Sequence, residues 1–260
     1  MGRRGVKYME NYASNLLLSD KRINNRKLNE FREIEIKQGI IDKAEGSAIV
    51  KLGKTKVIAG VKIETGTPFP DTPDEGMLVV NAEFTPLSSP DFESGPPGED
   101  ATELARVVDR GIRESKCIDL KKLCKTSGEM VLCVYVDIHI INHDGNLIDC
   151  AALASLAALL DTKIPRIKDD RIVRGEAEKD LPVLYKPIEV TVCKVDDKFI
   201  LDPMFEEEAI IDSKLTVCVR DDEKICALQK QGVKELTVDD IKKMIEIAID
   251  KSKELRKLFK

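Results

Sequence analysis

The sequence predicts an α/β (α+β) protein whose strands and helices come in blocks along the chain. Three observations point there. After about residue 30 the hydrophobic period changes from helical spacing to alternation. An alanine-rich helix, Cys150 to Leu160, separates an earlier group of strands from a later one. The order reads helix, strands, helix, strand, helix, strands, helix, with neither a tandem repeat nor a low-complexity linker. At 260 residues, 42% of them hydrophobic, the chain can bury the core of one large domain or of two lobes.

Taken in order, Tyr8, Tyr12, Leu16 and Leu17 repeat at helical spacing over 8–19, where Ser19-Asp20 closes the helix. Phe31 to Ile36 alternates, Ala48 to Leu52 runs up to Gly53, and Lys56 to Ile63 follows. These read as an antiparallel meander with turns at Gly39, Gly46, Gly53 and Gly66. Met77 to Phe84 is a further strand. The Pro/Gly/Ser-rich stretch 85–98 then delivers the chain to a helix from Glu99 to about Ile118, whose acidic start suits the positive end of the helix dipole. Val131 to Ile141 is the clearest strand and ends at the turn His143-Asp-Gly-Asn146. Asp149, a natural N-cap, begins the alanine-rich helix, which packs on both faces. After Asp161 the chain reads as irregular and charged. Strands resume at Ile188–Val195, Lys198–Leu201, Leu215–Arg220 and Lys224–Leu228. A closing helix, Val238 to Leu258, is capped by Thr237.

Composition excludes several function classes. The longest mostly apolar run, Cys150 to Leu160, has 11 residues, well short of the roughly 20 a membrane span needs. The basic start Met1-Gly-Arg-Arg lacks the apolar stretch of a secretory signal, so a cytoplasmic location is expected. Seven cysteines without a Cys-x-x-Cys pair argue against a disulfide framework and a zinc site, and no cofactor is expected. His139 and His143, four apart on a strand, share a face, but no third ligand stands at metal-binding spacing. Gly95-Pro-Pro-Gly98 reads as a structural turn, because proline removes backbone donors and Glu99-Asp100 would repel a phosphate. With a net charge of −5, nucleic acid can be held only by a local concentration of Arg or Lys.

The helix from Glu99 supplies one. Ala101, Leu104, Ala105, Val108 and Ile112 make its apolar face, and Arg106, Arg110 and Arg113 cluster on the opposite side. Three guanidiniums so spaced can engage successive phosphates of a single strand. They can equally form a solvated face neutralised by Glu103, Asp109 and Glu114, and periodicity alone favours that second reading.

Several segments resemble the RNase PH superfamily of phosphate-dependent 3′-to-5′ exoribonucleases. Arg26-Lys-Leu-Asn-Glu-Phe-Arg32 is similar to the family's opening motif at Arg26, Glu30 and Arg32, with Asn24-Asn25 in place of its Asp-Gly. Gly46 to Val61 resembles its first hairpin, and Glu103 to Ser115 its arginine-rich helix. The likeness covers about residues 20–250 and is greatest to the non-catalytic ring subunits of archaeal exosomes. It implies a two-lobed fold of mixed sheets backed by helices. The expected division is an N-terminal helix and lead-in over 1–30, one lobe over 31–165 and a second over 166–260. It further implies an alternating six-membered ring with a catalytic paralogue, RNA-binding cap proteins, and single-stranded RNA held by Arg106 and Arg110, with Arg113 a third candidate. Active relatives bind phosphate through a Gly-Ser/Thr-Arg-like segment that here reads Gly145-Asn-Leu-Ile-Asp149. They also carry a second carboxylate run after positions like Glu176, Glu178 and Asp180, which this chain lacks. The expectation is an inactive, RNA-holding subunit. An active enzyme with a divergent phosphate site and a purely structural spacer are the alternatives.

Overall fold

The computed structural model describes residues 12–17, 19–168 and 171–259. Residues 12–17 are helical, and the rest of the helix expected over 8–19 lies largely outside the described residues. The first sheet has the order β1-β2-β3-β6-β4, with β1 at Ile34–Gln38, β2 at Gly46–Leu52, β3 at Thr55–Gly66, β4 at Met77–Glu83 and β6 at Met130–Asn142. A short β5, Cys124–Thr126, pairs with the start of β6. The first three strands form the expected meander, and only β4 runs parallel to its neighbour β6. Alternation puts Val57, Ala59, Val61 and Ile63 of β3 on the covered face, all fully buried.

Gly39 and Gly53 turn the chain at positive φ, but Gly46 is the first residue of β2 and Gly66 the last of β3, so both belong to strands rather than to turns. At Gly46 the reason for glycine is a close approach. A Cβ there would lie 2.2 Å from the Thr162 hydroxyl and 2.5 Å from the Ala158 carbonyl, where α2 ends against β2.

Helix α1, Glu99–Glu114, packs on β4 and α2 and stops four residues before the expected Ile118, because Lys116 turns into the left-handed region at φ 54°. Helix α2, Leu147–Asp161, lies between the first sheet and β9 of the second, which is why it is apolar all round. Its N-cap is Asn146, at φ 54°, and not Asp149. Asp149 occupies the third helical position, fully buried. The charged stretch after Asp161 is not irregular: β7 (Lys163–Lys168) and β8 (Arg171–Asp180) form an antiparallel pair whose second strand is largely exposed.

The second sheet has the order β10-β9-β11-β12, with β9 at Ile188–Val195, β10 at Lys198–Leu201, β11 at Ser213–Val219 and β12 at Ile225–Gly232. A one-turn helix α3, Phe205–Glu208, follows β10. Helix α4, Val238–Arg256, covers β9 and β11 from the other side, so β9 is buried on both faces. Thr237 caps α4 as its sequence predicts: its hydroxyl accepts the Asp240 N–H, and the Asp240 carboxylate accepts the Thr237 N–H. No helix among the described residues is long and apolar enough to cross a membrane.

Candidate nucleic-acid interface

The apolar residues predicted for α1 are all buried, and Val107 and Gly111 are buried with them. That leaves Arg106, Arg110 and Arg113 exposed on one side, as the spacing requires. Their environments differ. Among the described residues Arg106 makes no hydrogen bond or ion pair. Arg110 donates from Nη1 to the Gln229 side-chain oxygen on β12 at 3.1 Å. Arg106, Arg110, Thr102, Gly98 and Gln229 line an open groove of about 560 Å³ between α1 and the edge strand β12. Arg113 points elsewhere. It pairs with Asp109 through Nε (3.0 Å) and Nη2 (2.6 Å) and donates to the Leu78 carbonyl of β4 at 2.9 Å. Two of the three guanidiniums therefore share the groove, and the third ties α1 to the first sheet. Gln229 was not legible as a groove residue, since strand alternation gives its face but not the helix beside that face.

A second cleft, of about 250 Å³, opens at the start of α2. Leu147 and Ile148 line it where a phosphate-binding segment would need hydroxyl or guanidinium donors. The backbone N–H of the N-cap, Asn146, donates to the Glu208 carboxylate at 3.1 Å. Asp100, Glu103 and Glu208 add negative charge, answered by Lys214, which pairs with Glu208 at 3.4 Å. Burial is the largest single influence and acts to lower the Lys214 pKa. The Glu208 charge, together with Cys193, the Glu208 hydrogen bond and Asp149, outweighs it and holds the group above its usual value. Asp149, behind this turn, accepts the Thr191 N–H and an Asn146 amide hydrogen. Burial nevertheless pushes its carboxyl up to about 6. One backbone donor at this helix N-terminus, ordinarily an anion site, is thus already taken by the chain's own Glu208 carboxylate.

Residues 30–165 match the model of the 3′ exoribonuclease family, domain 1 (RNase PH), and residues 186–251 match domain 2 of the same family. The chain belongs to the RNase PH family. It is 46% identical to the exosome complex component Rrp42 of Methanosarcina mazei over 96% of this chain and 92% of that one. It is also 46% identical to Rrp42 of Archaeoglobus fulgidus over 98% and 97%. Among solved structures it resembles a chain of the Archaeoglobus fulgidus exosome with RNA bound to the active site, with TM-score 0.91, 44% identity and coverage of 98% and 99%. A chain of an archaeal exosome core matches with TM-score 0.87 and 42% identity over 98% of each.

The opening motif of this RNase PH chain is structural here. Arg32 is buried and donates to both oxygens of Asp202, to the Asp144 and Gly145 carbonyls and to the Asp144 carboxylate. Arg26 donates to Asp202 and to the Glu30 carbonyl. Arg22, 1% exposed, pairs with Glu207 and donates to the Leu201 and Asp202 carbonyls. Burial alone would raise the Asp202 pKa, but the hydrogen bonds and charge of Arg32 hold it below the usual carboxylate value. Sequence reasoning found Arg26 and Arg32 through the motif but could not find Asp202, their common acceptor.

The two histidines do not act together. His139 sits on β6 beside Glu83 at 3.4 Å. His143 lies past the end of β6, stacked on Phe92 and edge-on to Phe205 at the α2 cleft. Burial lowers its pKa. Glu176, Glu178 and Asp180 stand on exposed β8, with Glu176 paired to Arg166, and none lines the α2 cleft. No group of three or more His, Cys, Asp or Glu that could hold a metal occurs among the described residues.

Proposed function

We propose that this chain is a ring subunit of an archaeal-type exosome that holds single-stranded RNA on α1 and has no catalytic centre of its own. The observation that carries the non-catalytic half is the Glu208 carboxylate on the Asn146 N–H, with Leu147 and Ile148 beside it. An incoming phosphate would have to displace a carboxylate and remain beside buried Asp149. The RNA-holding half is supported by Arg106 and Arg110 sharing the open groove, whereas Arg113 serves chiefly to fix α1 on β4. In this reading Arg106 and Arg110 engage phosphates, and the chain alternates with a catalytic RNase PH paralogue in a six-membered ring that carries RNA-binding cap proteins. Residues 1–30 form its lead-in, 31–165 its first lobe and 166–260 its second, and it acts in the cytoplasm.

The test is phosphate-dependent release of nucleoside diphosphates from a single-stranded RNA. The chain alone is expected to release none, and the chain mixed with a catalytic paralogue is expected to support release. Sustained phosphorolysis by the isolated, nuclease-free chain would overturn the non-catalytic reading. A chain that stays monomeric in the presence of the paralogue would overturn the ring.

A further inference from the structure

The edge hairpin β11–β12 contains a break in register that brings two cysteines together. Cys218 faces Ala227 and Val219 faces Ile225, so Cys226 is the extra residue of a β-bulge. In such a bulge two consecutive residues of one strand face a single residue of the other, with their side chains on the same side. Burial follows that geometry: β12 otherwise alternates, but Cys226 and Ala227 are consecutive and both half-buried. Facing positions of an antiparallel ladder lie about 4.5–5.5 Å apart between Cα atoms. A disulfide spans roughly 4.4–6.8 Å between the same atoms.

The two thiols differ in access. Cys218 is buried, with its sulfur 3.6 Å from the Gly111 carbonyl of α1, whereas Cys226 is partly exposed, with its sulfur 3.6 Å from the Lys224 carbonyl. Their electrostatics differ in the same sense. A hydrogen bond from Cys218 and the nearby Arg220 guanidinium pull the Cys226 thiol down, and the same contact together with burial pushes Cys218 up. Arg220 is itself fixed by Asp222 and by the Tyr185 ring, 3.9 Å below its guanidinium.

We propose that Cys226 and Cys218 form a peroxide-responsive thiol pair that closes to an intramolecular disulfide between β12 and β11. The Cys226 thiolate attacks a hydroperoxide oxygen. An S–O bond forms, the O–O bond breaks, and the leaving hydroxide takes a proton to become water. The Cys218 sulfur then attacks the Cys226 sulfenic sulfur as its proton is lost. The S–S bond forms, the S–O bond breaks, and a second water leaves. Two thiols are oxidised by two electrons and one hydrogen peroxide is reduced to two waters. The product takes the Cys218 sulfur away from the Gly111 carbonyl, under the helix that carries Arg106 and Arg110.

The experiment uses the full chain, reduced, desalted and exposed to hydrogen peroxide. Remaining thiols are then alkylated and the protein is digested with trypsin. Cleavage after Lys214, Arg220, Lys224 and Lys230 separates Leu215–Arg220 from Ile225–Lys230. The expected result is a linked pair of these two peptides as the main oxidised species, a loss of two of the seven thiols, and full reversal by dithiothreitol. Cys226→Ser is expected to abolish the link and leave Cys218 reduced at the same dose. Because Cys218 is buried, Cys218→Ser serves only as a second arm, in which dimedone is expected to trap a sulfenic acid at Cys226. Oxidation of Cys226 to sulfinic acid without a link in the wild-type chain would overturn the proposal. So would a link to Cys117, or preferential oxidation of another cysteine.

Discussion

Arg32 and Asp202 are joined by two parallel hydrogen bonds, Nη2 to Oδ1 at 2.7 Å and Nε to Oδ2 at 2.9 Å, with the carboxylate wholly buried. The same guanidinium grips the turn that leads into α2. Truncating one member would strand the other charge inside the protein. Arg32→Ala is therefore expected to destabilise the fold by about 3–5 kcal/mol. Arg166→Ala, which opens an exposed pair with Glu176, should leave the urea midpoint unmoved. Equal midpoints for the two variants would refute the role given to Arg32.

The α1 groove gives a second expectation. Arg106→Glu with Arg110→Glu should leave folding nearly intact, because both guanidiniums stand outside the buried face. RNA affinity of the assembled ring should fall for every sequence tested, and its salt dependence should flatten. Each single change to Ala should remove on the order of 1 kcal/mol of binding. Fluorescence anisotropy at two salt concentrations checks this, and an unchanged slope in an intact ring would return both arginines to a merely solvated face.

A third concerns Glu189, which lies under α1 with one carboxylate oxygen against Gly111 and the other buried without a hydrogen-bond partner. Burial, and to a lesser degree the Asp149 charge, raise its pKa well above the ordinary value. The folded chain thus binds a proton that the unfolded chain releases, and stability falls as pH rises above the unfolded carboxyl value. Glu189→Gln carries no such penalty. Its thermal midpoint should match the wild type near pH 4 and exceed it at pH 8, and a lower midpoint at pH 8 would contradict the assignment.

Gly46 supplies a fourth. Alanine there would place its methyl group 2.2 Å from the Thr162 hydroxyl, itself bonded to the Ala158 carbonyl at 2.7 Å. The end of α2 must then shift away from β2, at about 1–3 kcal/mol. Chemical denaturation of Gly46→Ala measures the loss, and an unchanged midpoint would mean that the helix end yields freely.

Elements with a strong local period were legible. Helix α4 with its Thr237 cap, strand β6 and the hairpin β9–β10 all follow from spacing and turn chemistry alone. The β7–β8 pair was missed because exposed strands rich in charge carry no hydrophobic alternation to read. The parallel course of β4 was equally hidden, since period 2 says nothing about strand direction. Asp149 was misplaced by three positions because a carboxylate before an apolar run is a sound cap signal. In this chain Asn146, in the left-handed region, ends the turn first. At the candidate interface the helical wheel found all three arginines. Their separate fates depended on Asp109 and on Leu78 and Gln229, which reach α1 only through the tertiary fold.

The clamp made by Arg22, Arg26 and Arg32 also sets a timetable. These three cations leave the ribosome early, while the acceptors they share in the second lobe, Leu201, Asp202 and Glu207, lie 170–185 residues further on. At the usual pace of synthesis that interval is roughly 10–35 s. Throughout it the nascent chain can assemble the β1–β2–β3 meander, yet the lead-in has nothing to hold. Docking of the lead-in is thus a late event, possible only once most of the chain has been made. Until Asp202 and Glu207 emerge, Arg22 and Arg26 stay hydrated and residues 19–30 remain open to chaperones and proteases.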